Sequence, residues 1–268
     1  MIRQGMTCAA SVAVLALISA PVAADVGPLP RADIYVLGEV HDNADTHAMQ
    51  ADIIRKVSPR ALVFEMLTPA QAEAAKAVDR SDAQAVAEAT QWAESGWPDF
   101  AMYASVFAAA PDALIVGAAV PRPRLMQAMQ DGTAAALGVD DAALWQVAPL
   151  TKAEQQAREA VQAEAHCGAL PAEMLPGMVA AQRLRDVDFA RVTADAFDET
   201  GGPVALITGT GHARKDTGVP SYLAAARPDL SVVALGQFEG DTAGAGDFDI
   251  IRLATPADRP DPCAAFAN

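Results

Sequence analysis

Two segments of this chain repeat one arrangement, an apolar run, a glycine and a histidine: "YVLGEVHDNADTH" (35–47) and "VALITGTGHARKDTGVPSYL" from Val204. Both contain Gly-x-x-His, Gly38 to His41 and Gly209 to His212. Glu39 and His47 flank the first histidine, and Glu65 ends the apolar run "ALVFEM" (61–66). Carboxylates and imidazoles gathered together move protons or bind metal. Two histidines with carboxylates suit a divalent ion such as Zn, Mn or Fe and leave a position for water or substrate. Glu39, His41, Glu65 and His212 are therefore the candidate catalytic residues and the candidate metal ligands. His47 is either part of the same cleft or a histidine on the helix surface. The glycines at 38, 209 and 211 are expected to let the chain turn tightly beside them.

Such residues need a scaffold that delivers them to one place. Six apolar runs read as strands: 33–38, 61–66, 113–120, 203–209, 231–238 and 248–254. The first four are almost continuously hydrophobic, as in strands buried on both faces of a parallel sheet. Between the first two, Met49, Ile53, Ile54 and Val57 recur at helical spacing behind Asn43, a natural N-cap. Thr68-Pro69 opens another helix. This alternation specifies an α/β fold, a mainly parallel Rossmann-like sheet flanked by helices. Residues 81–200 depart from it, with one strand amid Ala-, Gln- and Glu-rich sequence, and read as a mostly helical insertion over one end of the sheet. Its last part reads as a long helix, kinked at Pro176-Gly177. Gln182 and Asp186 share one face of that helix, directed to the cleft or to solvent. In open parallel sheets ligands bind beyond the carboxyl ends of the strands, which is where Glu39, His41, Glu65 and His212 fall.

The N-terminus reads as a leader. Arg3, the run "AASVAVLALISAPVAA" and Val22-Ala23-Ala24 fit a signal peptide cleaved after Ala24, so 25–268 is expected as one exported α/β domain, periplasmic or secreted. The formal net charge of −15 disfavours nucleic acid and anionic lipid as partners. In an oxidising compartment Cys167 and Cys263 are either a disulfide or two unpaired thiols. There is no Gly-x-Ser-x-Gly elbow and no Cys-x-x-Cys-His, which disfavours a serine hydrolase and a c-type cytochrome. "GTGHAR" lacks the features of a phosphate cradle. Trp97, Pro98 and Tyr103 form an aromatic wall or pack into the core.

Together with "SGWPDFAMY" and "HCGALPAEMLPGMVAAQRLRD", these motifs resemble the ChaN family of exported haem-binding proteins, in a superfamily with the Tiki and TraB/PrgY-type proteins and the erythromycin esterases. The resemblance spans nearly all of the chain after the leader. It implies haem as cofactor and partner, a role in haem and iron uptake, and a homodimer that holds haem through a tyrosine. The haem-binding candidates are then Tyr103 or Tyr222 as the axial residue, His47 as a haem-facing residue, and Arg214 beside a propionate. Tyr35 falls inside a strand. The wider superfamily implies the alternative, a metal-dependent hydrolase in which Glu39, His41, Glu65 and His212 hold the ion and a carboxylate acts as general base. Two departures stand out. No lipoprotein cysteine precedes the mature chain, which argues against membrane tethering, and Phe189 stands where related sequences often carry methionine.

Overall fold

The computed structural model describes residues 28–241, 243–244, 246–261 and 263–264. The leader lies outside them. The strands are β1 (Ile34–Glu39), β2 (Ala61–Phe64), β3 (Leu114–Gly117), β4 (Val204–Gly209), β5 (Val232–Glu239) and β6 (Ile250–Ala254), each inside an apolar run named above or one residue beyond it. They form one sheet of order β3-β2-β4-β1-β5-β6, and every pairing is parallel. β4 returns late in the chain to lie between β1 and β2. Glu39 pairs with Gly209 across the β1–β4 ladder, so the two Gly-x-x-His segments leave the sheet side by side.

Helix α1 (Ala44–Val57) starts at Asn43, whose side chain accepts from the Asp45 amide. Helix α2 (Pro69–Lys76) starts at Thr68 with a reciprocal capping box to Gln71 and proline in the first turn. Then come α3 (Ala83–Ala89), α4 (Phe100–Ala108), α5 (Arg122–Asp131), α6 (Thr133–Leu137), α7 (Val139–Leu144), α8 (Lys152–Ala165), α9 (Leu175–Thr200) and α10 (Val219–Ala226). A 3-10 turn, Ala172–Met174, leads into α9. Pro176 therefore sits in the first turn of α9, where its missing N–H costs nothing; the expected kink at Pro176-Gly177 is a helix start.

Alternating strand residues build two cores. Leu37, Leu62, Phe64 and Ile207 pack on one face with α1 and α4 residues such as Ile54, Tyr103 and Phe107. Val36, Val63 and Leu206 pack on the other with Val187 and Phe189 of α9 and Leu223 of α10. β1, β2 and β4 are buried throughout, as their continuous hydrophobicity requires. β3 alternates between buried and half-buried residues because it is an edge strand. Helix α8 contributes no buried residue. It lies against α9, and its C-terminal end is tied to the tail by a Cys167–Cys263 disulfide. No helix of the described residues is long and apolar enough to cross a membrane.

Candidate functional site

Glu39 ends β1 with its side chain fully enclosed. One oxygen accepts from the Tyr103 hydroxyl and from His41 Nδ1, each at 2.9 Å. The other lies 3.2 Å from His47 Nδ1. His47 Nε2 is 2.9 Å from the His41 carbonyl, so it must donate there. The Nδ1 contact becomes an imidazolium–carboxylate pair when His47 takes a second proton, which the neighbouring Glu39 favours. His41 Nδ1, facing a carboxylate, carries its proton too, and this leaves Nε2 as the working nitrogen. The His41 side chain is 36% exposed and lies against Trp97, with ring centroids 4.9 Å apart.

A second group forms one strand away. Glu65, just past β2, accepts from the Thr208 hydroxyl at 2.6 Å and the Gly209 amide at 2.9 Å. Its other oxygen is 3.6 Å from His212 Nε2. His212 Nδ1 meets Asp186 of α9 at 2.6 Å, while the Gln182 amide covers the ring at 3.2 Å. The edge of Phe189 packs on that ring with centroids 5.0 Å apart. The shared face of Gln182 and Asp186 is thus directed at the site.

The glycines serve close approach. An added Cβ at Gly38 would lie 2.7 Å from the Leu235 carbonyl oxygen, and one at Gly209 2.8 Å from His41 Nε2. Both belong to strands, so the expected role in tight turns is corrected for these two: they clear space for a neighbouring backbone and for the His41 ring.

Burial raises carboxyl groups and lowers imidazoles, and specific partners here outweigh it. Glu39 is buried, yet hydrogen bonds from His41 and His47 hold it below the ordinary carboxyl range. Glu65 is held low against burial by the charges of His212 and His41 and by Thr208 and Gly209. Against burial, Glu39 and Glu65 raise His41, Glu39 raises His47, and Glu65 and Asp186 raise His212. For Asp186 burial prevails over His212 and its carboxyl is raised, so the two groups titrate as a pair sharing one proton.

These directions fix a stability profile. The depressed carboxyls contribute fully above their ordinary value of 4.5, and the contribution is lost as pH falls through their lower folded values. The raised histidines contribute fully below 6.5, and theirs is lost as pH rises through their higher folded values. The urea midpoint is expected to peak between 4.5 and 6.5 and to fall on both sides. A midpoint that keeps climbing above 6.5 contradicts this assignment.

Several sequence expectations change. Glu39, His41, Glu65 and His212 do converge at the carboxyl edge, as two hydrogen-bonded groups. They do not form a metal ligand set: among the described residues no group of three or more His, Cys, Asp or Glu is placed to hold an ion. The carboxylate oxygens are instead directed at imidazole, phenol, hydroxyl and amide groups. His47 and Tyr103 are fully buried and turned toward Glu39, so neither faces a ligand surface. Tyr222 is 7% exposed and its hydroxyl accepts from Arg183 at 3.2 Å. Tyr35 bonds the Pro30 carbonyl at 2.8 Å. No tyrosine among the described residues presents an unengaged hydroxyl. Arg214 does line a cavity, and it pairs there with Asp216.

That cavity, of about 570 Å³, lies between α8, α9 and the 210–217 turn, beyond the ends of β1 and β5. Asp186, Gln182 and Gly211 form its floor beside His212, and Val161, Val179, Phe238 and Phe248 its apolar walls. Sequence reasoning missed the wall on α8 because its alanines and single valine signal helix propensity and not a ligand surface. It also missed Thr208 and Gly209 as donors to Glu65, a contact only the β2–β4 pairing creates.

No curated protein matches the chain. Among solved structures, its fold is similar to that of ChaN of Campylobacter jejuni with cofacial haem binding, at 19% identity and a TM-score of 0.58, over 79% of this chain and 84% of that one. A mutant of the erythromycin esterase EreC in its open conformation is 14% identical with a TM-score of 0.42, over 78% of this chain and 70% of that one. The type III effector HopBA1 is 11% identical with a TM-score of 0.43, over 84% and 88%. The family described as haem-binding uptake, Tiki superfamily, ChaN, matches residues 26–223, more than half of the sequence, and the chain belongs to it.

Proposed function

We propose that this protein is an exported haem-binding protein of haem and iron uptake. The observation that carries the reading is membership of the haem-binding uptake family across 26–223. One structural feature supports it. The Cys167–Cys263 disulfide suits an oxidising compartment outside the cytosol, in keeping with removal of residues 1–24 on export. When bound, haem supplies the iron that uptake delivers, and the chain's part is to hold it away from water. Arg214, which lines the cavity, would meet a propionate by giving up its pair with Asp216; the tyrosine hydroxyls are engaged with Glu39, Arg183 and Pro30.

A second reading, hydrolysis without a resident metal, is favoured by the Glu65–His212–Asp186 line and by the partly exposed His41 ring. His41 Nε2 would take a proton from water and Glu39 would stabilise the charge formed.

One set of measurements separates the two. The mature chain, residues 25–268, is titrated with haemin while the Soret band is followed, and sedimentation reports whether two chains share the ligand. The haem reading expects a saturable shift that survives His41→Ala and His212→Ala. The absence of any saturable shift, together with turnover of a soluble ester that both substitutions abolish, would replace it with the hydrolase reading.

A further inference from the structure

Among the described residues no histidine, cysteine, methionine or tyrosine lines the cavity between α8, α9 and the 210–217 turn, so it is not built around iron. It sets cationic charge beside apolar surface instead. Each of its carboxylates has a partner close to home. Asp186 holds His212 at 2.6 Å, Asp216 holds Arg214 at 2.6 Å, and Glu154 accepts from the Thr151 amide at 2.7 Å. Two of its arginines meet neutral acceptors. Arg158 of α8 donates to the Thr217 carbonyl at a long 3.4 Å. Arg183 of α9 donates to the Tyr222 hydroxyl at 3.2 Å and the Ala148 carbonyl at 2.8 Å. Among the described residues neither makes an ion pair, although the formal net charge is −15. Both are half-buried, and each leaves most of its N–H donors unspent. Burial raises the Tyr222 hydroxyl while the charges of Arg183 and Arg158 oppose it, so the two cations, from adjacent helices, face one corner.

We infer that this cavity is a receptor for a small amphipathic acid, a single carboxylate on an acyl chain. Arg158 and Arg183 hold the carboxylate between them, and the chain lies among Val161, Val179, Phe238 and Phe248. Two guanidiniums facing one corner suit one anionic group, because their planar forks meet carboxylate oxygens in charge-assisted pairs. The walls ask for apolar cover. Val161 is 45% exposed on a helix with no buried side chain, and Phe248 packs edge-on against Phe238 with centroids 5.6 Å apart. An acyl chain laid against them takes that surface out of water. The volume of about 570 Å³ falls within the range of small-molecule sites. Binding disturbs no existing pair, since Asp186 stays with His212 and Asp216 with Arg214. The assignment does not rest on the haem reading.

The test is calorimetric titration of the mature chain and of Arg158→Gln/Arg183→Gln with decanoate, held below its micelle concentration. Decanol, which lacks the charge, and acetate, which lacks the chain, are the comparisons. Decanoate is expected to bind the parent saturably, and each comparison at least about tenfold more weakly, as the loss of charge-assisted hydrogen bonds requires. In the double variant decanoate is expected to fall to the level of decanol, with decanol itself unchanged. Should that variant lose its far-ultraviolet signature, Arg158→Gln decides alone. Helix α8 buries no side chain, so this change spares the core, and about a tenfold loss of decanoate affinity is expected. The assignment is overturned if decanoate does not saturate the parent, if decanol binds as tightly as decanoate, or if the folded variants keep the parent's affinity. The haemin titration reads out separately: its failure ends the haem reading and leaves this site standing, and the reverse also holds.

Discussion

Glu39→Ala is expected to remove about 3–5 kcal/mol of stability, the range for deleting one partner of a buried charged network. The carboxylate is fully enclosed and answers three groups, of which His47 and Tyr103 are wholly buried and His41 is partly exposed. Its loss leaves the His41 Nδ1 proton, the second proton of His47 and the Tyr103 hydroxyl without their acceptor. Each then bears the desolvation cost of an unmade bond, about 1–3 kcal/mol. His47 is expected to titrate lower once the carboxylate that raises it is gone, and so is His41. Glu39→Gln retains one oxygen as an acceptor and is expected to lose roughly half as much. Urea denaturation supplies the free energies, and the histidine ring resonances, followed against pH, the titrations. A loss below about 1 kcal/mol would show that the carboxylate holds nothing in place.

Gly218→Ala is expected to damage both the fold and the site. A Cβ there would lie 2.2 Å from the His212 carbonyl oxygen, 2.7 Å from its carbon and 2.9 Å from the Arg214 carbonyl oxygen. All three are backbone atoms, so no side chain can swing aside. The turn is closed by Gly218 N–H to the Arg214 carbonyl and Val219 N–H to the His212 carbonyl, both at 2.8 Å. To admit the methyl group one of these bonds must open, and the His212 backbone must move. The overpacking cost is about 1–3 kcal/mol or more, and the 2.6 Å contact with Asp186 is lost with it. Gly211→Ala is the control in the same turn, since its added methyl meets only the Gln182 amide at 3.9 Å. Thermal midpoints are expected to drop for Gly218→Ala alone. Equal drops would place the sensitivity in the whole turn.

Much of this was legible in advance where the cause is local. Asn43 and Thr68 cap the helices their spacing announces, because a side-chain acceptor two or three residues ahead of its donor is a property of the segment itself. The six strands follow from their apolar runs, nearly continuous in the first four. Glu39, His41, Glu65 and His212 were found because each follows an apolar run, and strand ends in such sheets meet at one rim. What each touches there was not legible. Tyr103 comes 64 residues after Glu39 and belongs to a helix whose apolar residues read as core. Asp186 could have faced solvent equally well until the packing of α9 on β4 turned it to His212. Residue types alone suit metal ligation. Hydrogen-bond partners from three other elements fixed a different arrangement, and no spacing rule reports them. The sheet order, with β4 inserted between β1 and β2, is equally non-local.

The disulfide gives the cavity a history. One wall is α8, a helix with no buried side chain of its own. Its far end is fastened through Cys167 to Cys263, 96 positions later. The tail is pinned in turn where Arg259 grips Glu239 and Asp42, and where the Asn43 amide holds Thr255. The wall therefore depends in part on a covalent tie to the tail. It waits for residue 263 to be synthesised and for two thiols to meet an oxidant, whereas the sheet and the buried carboxylates require neither. A chain folded under reducing conditions keeps its scaffold and its proton network, with the wall held by surface contacts alone. The covalent tie of that wall is thus present only where the two thiols can be oxidised.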